Sequence, residues 1–454
     1  MEKEKKFLGI EHLSLRSLII GAIGSAFITA GSMYVALKLG MVPWPTVFAA
    51  IVSIGILRMF GKISKNEVNV AQSSMTAGAM IAAGLGFTVP GLWKTGLDMN
   101  MWTYFWIFLG ISSVGLIMGL FLTWIWRTML LKRENLPYPI GIATAETIES
   151  SSEGSKKTII LAATLVLSAA YTIARDWFMK IPSYINFKFL DKFNMSTGAY
   201  MSPLAAAIGY MIGPLYTLVL FIGAVFGYIL LVPIGMKIGI FSSIDAAANV
   251  RQAIGLGLMV GAGLGIVLKF IIDIIKKRMG NKGGREVRPY KNIFKKSRIG
   301  LIVCAVSFVI CVIAGLSPIV SILVLLGVFL TTLMASLITG QAGIDPLEIF
   351  GMLIMITVRA IVPSISIETA LLVAGVVAIT SGFVGDVMFD YKTGQILGTN
   401  PKAQLISQAV GGVVGVIVAS FTIFVMINNY RSGVLRYTAC TSSKFCIWNG
   451  SRQL

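Results

Sequence analysis

The sequence predicts an all-α, polytopic integral membrane helix bundle of about 12 or more transmembrane segments with broken or re-entrant elements, and three observations carry that reading. Hydrophobic residues make up 56% of the 454-residue chain and charged residues only 13%, where a soluble domain carries about a quarter charged. Mean hydropathy is +0.84. Apolar stretches also recur along the whole chain, each near the roughly 20 residues that cross a bilayer: 18–39, 44–60, 68–90, 102–126, 158–178, 214–235, 250–275, 299–316, 318–339, 349–364, 366–384 and 404–428. An ordinary soluble enzyme is excluded.

Taken in chain order, the first span follows a charged segment, 1–17, that holds both acids and bases and no small-residue cleavage site. It reads as a retained helix, not a signal peptide. Basic residues then mark one side of the membrane: Lys3, Lys5, Lys6 and Arg16 before the first span, Arg58, Lys62 and Lys65 after the second, Arg127, Lys132 and Arg133 after the fourth. The positive-inside rule makes the N-terminus cytoplasmic and the protein a multi-pass component of the cell membrane. Keeping the basic run 276–298 on the same side requires a further crossing or half-crossing between 180 and 213, which PLAAAIGYMIG can supply. The domain division is 1–17 as a cytoplasmic segment, 18–430 as the membrane domain and 431–454 as a polar tail.

The charge balance, 38 Lys and Arg against 19 Asp and Glu, is a matter of topology and of membrane lipid head groups. No aromatic array or nucleic-acid fold accompanies the basic run, so no nucleic-acid partner is expected. A single histidine, His12, and four scattered cysteines leave no zinc site and no Ser-His-Asp triad. Neither metal nor cofactor is expected, and the chain does not read as an enzyme. Glycines recur at four-residue spacing, at Gly115 and Gly119, at Gly257, Gly261 and Gly265, and at Gly411 and Gly415. Small residues so placed let helix backbones touch, inside the bundle, at a hinge, or on the face of a homo-oligomer. A faint echo between 32–57 and 209–231, a tyrosine and a proline before an apolar span, suits a carrier made of repeats.

Ionisable side chains at membrane depth are costly and mark pathways, relays or partnered sites. Glu67 opens the third span, and Asn69, Gln72, Ser73 and Thr76 follow on one helix face; Glu67 serves a site or simply favours a helix N-terminus. In LPYPIGIATAETIES, 136–150, two prolines and a glycine lead into a small-residue helix bearing Glu146. That is the pattern of a broken helix whose free N–H groups meet a cavity. GDVMFDYKTGQILGTNPKAQ, 385–404, is the densest stretch, and its polarity predicts a second break over 385–403. Asp386 and Asp390, four apart, share a helix face there, and Lys392 stands close enough to neutralise one of them. Arg359, inside an apolar span, should pair with an acid such as Glu368 or with a substrate carboxylate, unless it snorkels to the head groups. GQAGIDPLE, 340–348, gives a further break that would place Asp345 and Glu348 at an interface.

At these residues the sequence resembles the oligopeptide transporter family, whose relatives include the yellow-stripe-like carriers of metal chelates. MYVALKLGMVPWPTVFAAIVSIGIL, NEVNVAQSSMTAGAMIAAG, LPYPIGIATAE, GYMIGPLY, RQAIGLGLMVGAGL, GQAGIDPLE and GDVMFDYKTGQILGTNPKAQ occur in family order over about residues 18–428. The resemblance implies a secondary carrier that imports small peptides or peptide-like metal chelates, coupled to protons. Family-like roles in substrate binding or proton coupling then fall on Glu67, Glu146, Asp386, Asp390 and Lys392, with Arg359 a further candidate from its placement. After NNYRSGV the chain departs from the family, which predicts a truncated or frame-shifted C-terminus. Two other classes remain in view. A channel would want rings of like charge or a repeated filter, which are not found; a membrane-embedded aspartyl protease would draw its two aspartates from two helices.

Overall fold

The structure is a computed structural model, and it describes residues 6–7, 9–39, 42, 45–93, 101–133, 136–152, 156–178, 180–182, 184–191, 198–203, 206, 210, 214–255, 257–258, 261, 265, 268, 272, 297–343 and 345–431. These residues are overwhelmingly helical. Seven of the described helices are long and apolar enough to cross a membrane, and two shorter apolar ones accompany them. The chain divides into two compact units, 1–154 with 263–427, and 155–262 with 428–454.

The first unit begins with a small hairpin, β1 (Lys6–Phe7) and β2 (Ile10–Glu11), and continues with α1 (Leu15–Leu39), α2 (Thr46–Met59), α3 (Lys65–Thr88), the short α4 (Pro90–Trp93), α5 (Met101–Arg127) and α6 (Pro139–Ser152). Ser64 caps α3: its hydroxyl accepts the Glu67 N–H at 3.1 Å, the geometry that frees a helix start from unpaired donors. The N-terminal segment is held against the far end of the unit, where the backbone N–H of Asn400 donates to His12 Nδ1 at 2.9 Å.

The entry to α6 is the expected break. Tyr138, between two prolines, takes a left-handed φ of 45°, unusual for a bulky residue. Its ring is fully buried, its N–H donates to Gly340 O and its hydroxyl to Ser336 O, both at 2.9 Å.

In the second unit, α7 (Lys156–Thr172) runs into a π-helical turn at Ile173–Trp177. A hairpin of β3 (Tyr184–Asn186) and β4 (Gly198–Tyr200) follows, with α8 (Lys188–Asp191) between its strands. Next come α9 (Pro214–Ala224), a π-helical Val225–Leu231, and α10 (Val232–Ile238), closed by Gly239 at φ 80°. Arg251 lies 3.9 Å over the Tyr228 ring. Where the chain is described between 180 and 213, it holds this hairpin instead of a clear crossing. PLAAAIGYMIG lies largely outside the described residues, as do most of the span at 250–275 and the whole of the tail 432–454.

The first unit resumes with α11 (Ser297–Ile313), α12 (Pro318–Ala342), α13 (Leu347–Ile361), α14 (Ile367–Leu397) and α15 (Pro401–Arg431). One sequence expectation is corrected here. The polar stretch 385–403 is not a broken element: α14 runs unbroken for 31 residues through Asp386, Asp390 and Lys392, and turns only at Gly398, φ 78°. A helix satisfies its own backbone, and the buried polar side chains of this one are met by neighbouring helices, so polarity alone forces no break.

The centre of the unit is made by α3 and α14, the two most enclosed of the long helices. Small residues bring their neighbours close. A Cβ added to Gly415 of α15 would fall on the Cα of Gly78 in α3, and one added to Gly411 would fall on the Ser74 carbonyl. Gly84 stands likewise against the Ile379 backbone at 2.6 Å, and Ser25 of α1 donates to Gly411 O at 2.8 Å. Gly115 and Gly119 of α5 receive Ile379 and Phe383 of α14. Gly257, Gly261 and Gly265 meet no described atom within 4 Å, so the packing role expected of that stripe is not seen among the described residues.

Replacing Gly415 by Leu should therefore cost about 1–3 kcal/mol of overpacking, read as a lowered melting temperature in detergent. Gly55→Ala, where no described atom lies within 4 Å, should leave the melting temperature close to that of the parent protein.

Candidate functional site

On α14 the four-residue step places Asp386 and Asp390 on one face, and both are essentially fully buried. Asp390 is ringed by donors from two helices. Gln72 Nε2 and Thr76 Oγ1 reach it from α3, the latter at 2.9 Å, and Gln408 Nε2 reaches it from α15 at 3.4 Å. Gln404 Nε2 donates to the Asp390 backbone carbonyl at 2.7 Å. The polar face of α3 that stood out in the sequence is thus the lining of this carboxylate.

Asp386 is less well supplied. Thr46 Oγ1, at the start of α2, donates to Oδ1 at 3.1 Å, and Oδ2 has no partner among the described residues. Asn69 continues the polar face outward, donating to Thr399 Oγ1 at 2.9 Å, which in turn donates to Asn66 Oδ1 at 2.9 Å.

A third carboxylate joins them. Asp345 lies in the irregular link between α12 and α13, where Gly343 takes φ 70°, and it is buried against the α14 backbone at Gly385. The link folds inward at this point, where Gly385 has no side chain to keep it out. Neither Asp345 oxygen has a partner among the described residues.

The other candidates from the sequence are dispersed. Glu67 accepts from Arg16 and from Ser14 Oγ (2.7 Å), while the Arg16 guanidinium also donates to the carbonyls of Phe60 (3.0 Å) and Lys62 (2.9 Å). That arrangement ties the start of α1 to the α2–α3 turn. Glu146 is on an exposed face of α6. Arg359 is exposed in the last turn of α13 and forms no ion pair with Glu368, which instead accepts from Tyr104 OH. Lys392 forms no ion pair with Asp386 or Asp390 among the described residues. Two residues apart on a helix point to opposite sides, and the stem of Lys392 packs toward Gly141 of α6.

Arg127 also meets α14, stacked 4.6 Å over Trp124 and 5.3 Å from the Tyr391 ring, with no ion pair to either aspartate among the described residues.

Sequence reasoning missed Thr46, Gln404 and Gln408, and it singled out Asp345 without placing it beside the α14 aspartates. The two glutamines carried a signal: with Ser407 they form a polar face, at four-residue spacing, on an otherwise apolar span.

Residues 12–445 match the OPT oligopeptide transporter protein family. The chain belongs to that family. A member from Haemophilus influenzae, whose name assigns it provisionally to oligopeptide transport, is 24% identical over 465 residues, covering 89% of this chain and 71% of its own. Four of the family-like stretches of this OPT chain lie within the first unit around α14: NEVNVAQSSMTAGAM is the donor face of α3, LPYPIGIATAE enters α6, GQAGIDPLE carries Asp345, and GDVMFDYKTGQILGTNPKAQ spans α14 and the start of α15. The α6 entry packs on the same helix, with Thr393 Oγ1 donating to Gly141 O at 2.9 Å.

Because Glu67 sits in an ion pair away from the aspartates, Glu67→Gln should lower stability by about 1–3 kcal/mol, the scale of a lost charge-assisted hydrogen bond. Substrate affinity, measured by the ligand-induced shift in melting temperature, should stay within about twofold of the parent.

Proposed function

We propose that the chain is a secondary active carrier that imports small oligopeptides across the cell membrane, coupled to protons, with its N-terminus cytoplasmic. One observation carries the reading: carboxylates of α14 are held inside a membrane-spanning bundle with hydrogen-bond donors but with no basic side chain paired to them among the described residues. A buried carboxylate without a positive partner is expensive, and two positive charges are available to such a carrier. One is the proton; the other is the protonated amine of the cargo.

Asp390, with donors from α3 and α15, joins the helices whose relative movement would change access. Gaining or losing a proton there alters which of Gln72, Thr76 and Gln408 can donate to it, so charge and helix packing change together. Alternating access follows if substrate and proton must both be present before the helices exchange partners. The family membership and the name of the Haemophilus influenzae relative support oligopeptides as cargo. Glu67, Glu146, Arg359 and Lys392 lie outside this cluster and receive no part in it.

In proteoliposomes, an inward proton gradient should accelerate accumulation of labelled small peptides, and Asp390→Asn should reduce that accumulation by tenfold or more. The variant should retain gradient-independent exchange of peptide across the membrane. Equal accumulation by Asp390→Asn and the parent would remove Asp390 from coupling. Stimulation by ferric or cupric chelates alone would replace the peptide cargo with a chelate.

A further inference from the structure

Asp345 and Asp386 are the carboxylates in this cluster that the proposed coupling step does not use. Asp345 is 7% exposed, against 1% for Asp386, and lies where the chain breaks between α12 and α13. Irregular backbone inside a membrane bundle persists only when buried in protein or lining a polar cavity. A carboxylate just before a helix often caps it, yet neither Asp345 oxygen accepts a hydrogen bond from the first turn of α13, whose N-cap is Pro346. Capping therefore does not explain Asp345.

The oxygens converge. The Cβ position of Gly385 lies 3.0 Å from Thr339 Oγ1 and closer still to Asp345 Oδ2, with Asp386 the next residue of α14. Asp345 Oδ1 and Oδ2 and Asp386 Oδ2 are all buried, and all three lack a hydrogen-bond partner among the described residues. Asp345 and Asp386 are within electrostatic reach of each other, and Glu348 adds further negative charge beside Asp345. Three buried acceptors without donors, two on Asp345 against Gly385 and one on Asp386, the next residue of α14, call for a ligand that brings donors and positive charge. A primary ammonium brings three N–H groups and one charge. A divalent metal is a poorer fit, since no group of three His, Cys, Asp or Glu able to hold one occurs among the described residues.

Resting on the reading of the chain as a peptide carrier, we propose that Asp345 and Asp386 bind the protonated N-terminal amine of the cargo peptide, with Gly385 kept side-chain-free to admit the Asp345 carboxylate. Asp390, satisfied by its own three donors, is a separate station for the proton. Specificity for a free N-terminus is then set by the α12–α13 link and not by the polar face of α3.

The test uses the full chain purified in detergent, with melting temperature read against trialanine and N-acetyl-trialanine in potassium chloride, and against sodium chloride without peptide. The parent should bind trialanine at least tenfold more tightly than the acetylated peptide. Asp345→Asn should erase that preference while keeping its affinity for N-acetyl-trialanine, and Asp386→Asn provides the same readout should Asp345→Asn fail to fold. A preference that survives in both variants overturns the amine site and leaves the carrier reading intact. A sodium-dependent shift in the parent that disappears in Asp345→Asn, with no amine preference, also overturns it, in favour of an ion site. No response of the folded parent to either peptide overturns the inference together with the peptide-carrier reading beneath it.

Discussion

Negative charge held where water is scarce is the constraint on which the rest of this structure depends. Asp345, Asp386 and Asp390 gather around the middle of α14, and in a low-dielectric interior each ionised carboxylate demands donors or a cation. The fold supplies donors unevenly. Asp390 receives three, Asp386 one and Asp345 none among the described residues. That gradient separates a carboxylate settled within the protein from two whose partner comes from outside it.

Close helix packing is what makes the uneven supply workable. Gln72 and Thr76 of α3 and Gln408 of α15 reach one carboxylate from two sides, and Gln404 reaches the backbone carbonyl of the same residue, because α3 and α15 touch through Gly78 and Gly415. Gly385 does the same for Asp345. Glycine is used here for close approach, and each such contact is also a place where a methyl group would push the polar site open. Stability of the bundle and geometry of the site are therefore one property. The Arg16–Glu67 pair, by contrast, fastens the ends of α1, α2 and α3 and leaves the interior carboxylates untouched.

Much of this was legible in the sequence. The helical membrane class followed from composition, most helix positions from apolar runs, and the pairing of Asp386 with Asp390 from their spacing. The polar face Asn69, Gln72, Ser73, Thr76 was visible as a face, though not what it faced. Misreadings came where polarity was taken for irregular backbone: 385–397 is helix because its polar groups are met by side chains from α15 and from α2 and α3, the last two held in residues hundreds of positions away. Lys392 looked like a counter-ion by proximity in sequence, but two residues along a helix is nearly the opposite face. Asp345 stands in a Gly- and Pro-bounded link, and the sequence did not show that the missing side chain of Gly385 lets that link fold inward. Glu67 had two readings in the sequence, and Ser64 with Arg16 realises the one at the helix start.

The central claim is that the interior carboxylates exchange a proton as cargo moves. The reciprocal of gradient-driven uptake tests it most directly: an outward-to-inward peptide gradient is imposed across proteoliposomes without any initial pH difference, and the lumenal pH is followed with an entrapped dye. The account predicts acidification of the lumen that tracks peptide entry and is absent in Asp390→Asn. Peptide entry at the parent rate with an unchanging lumenal pH would contradict it.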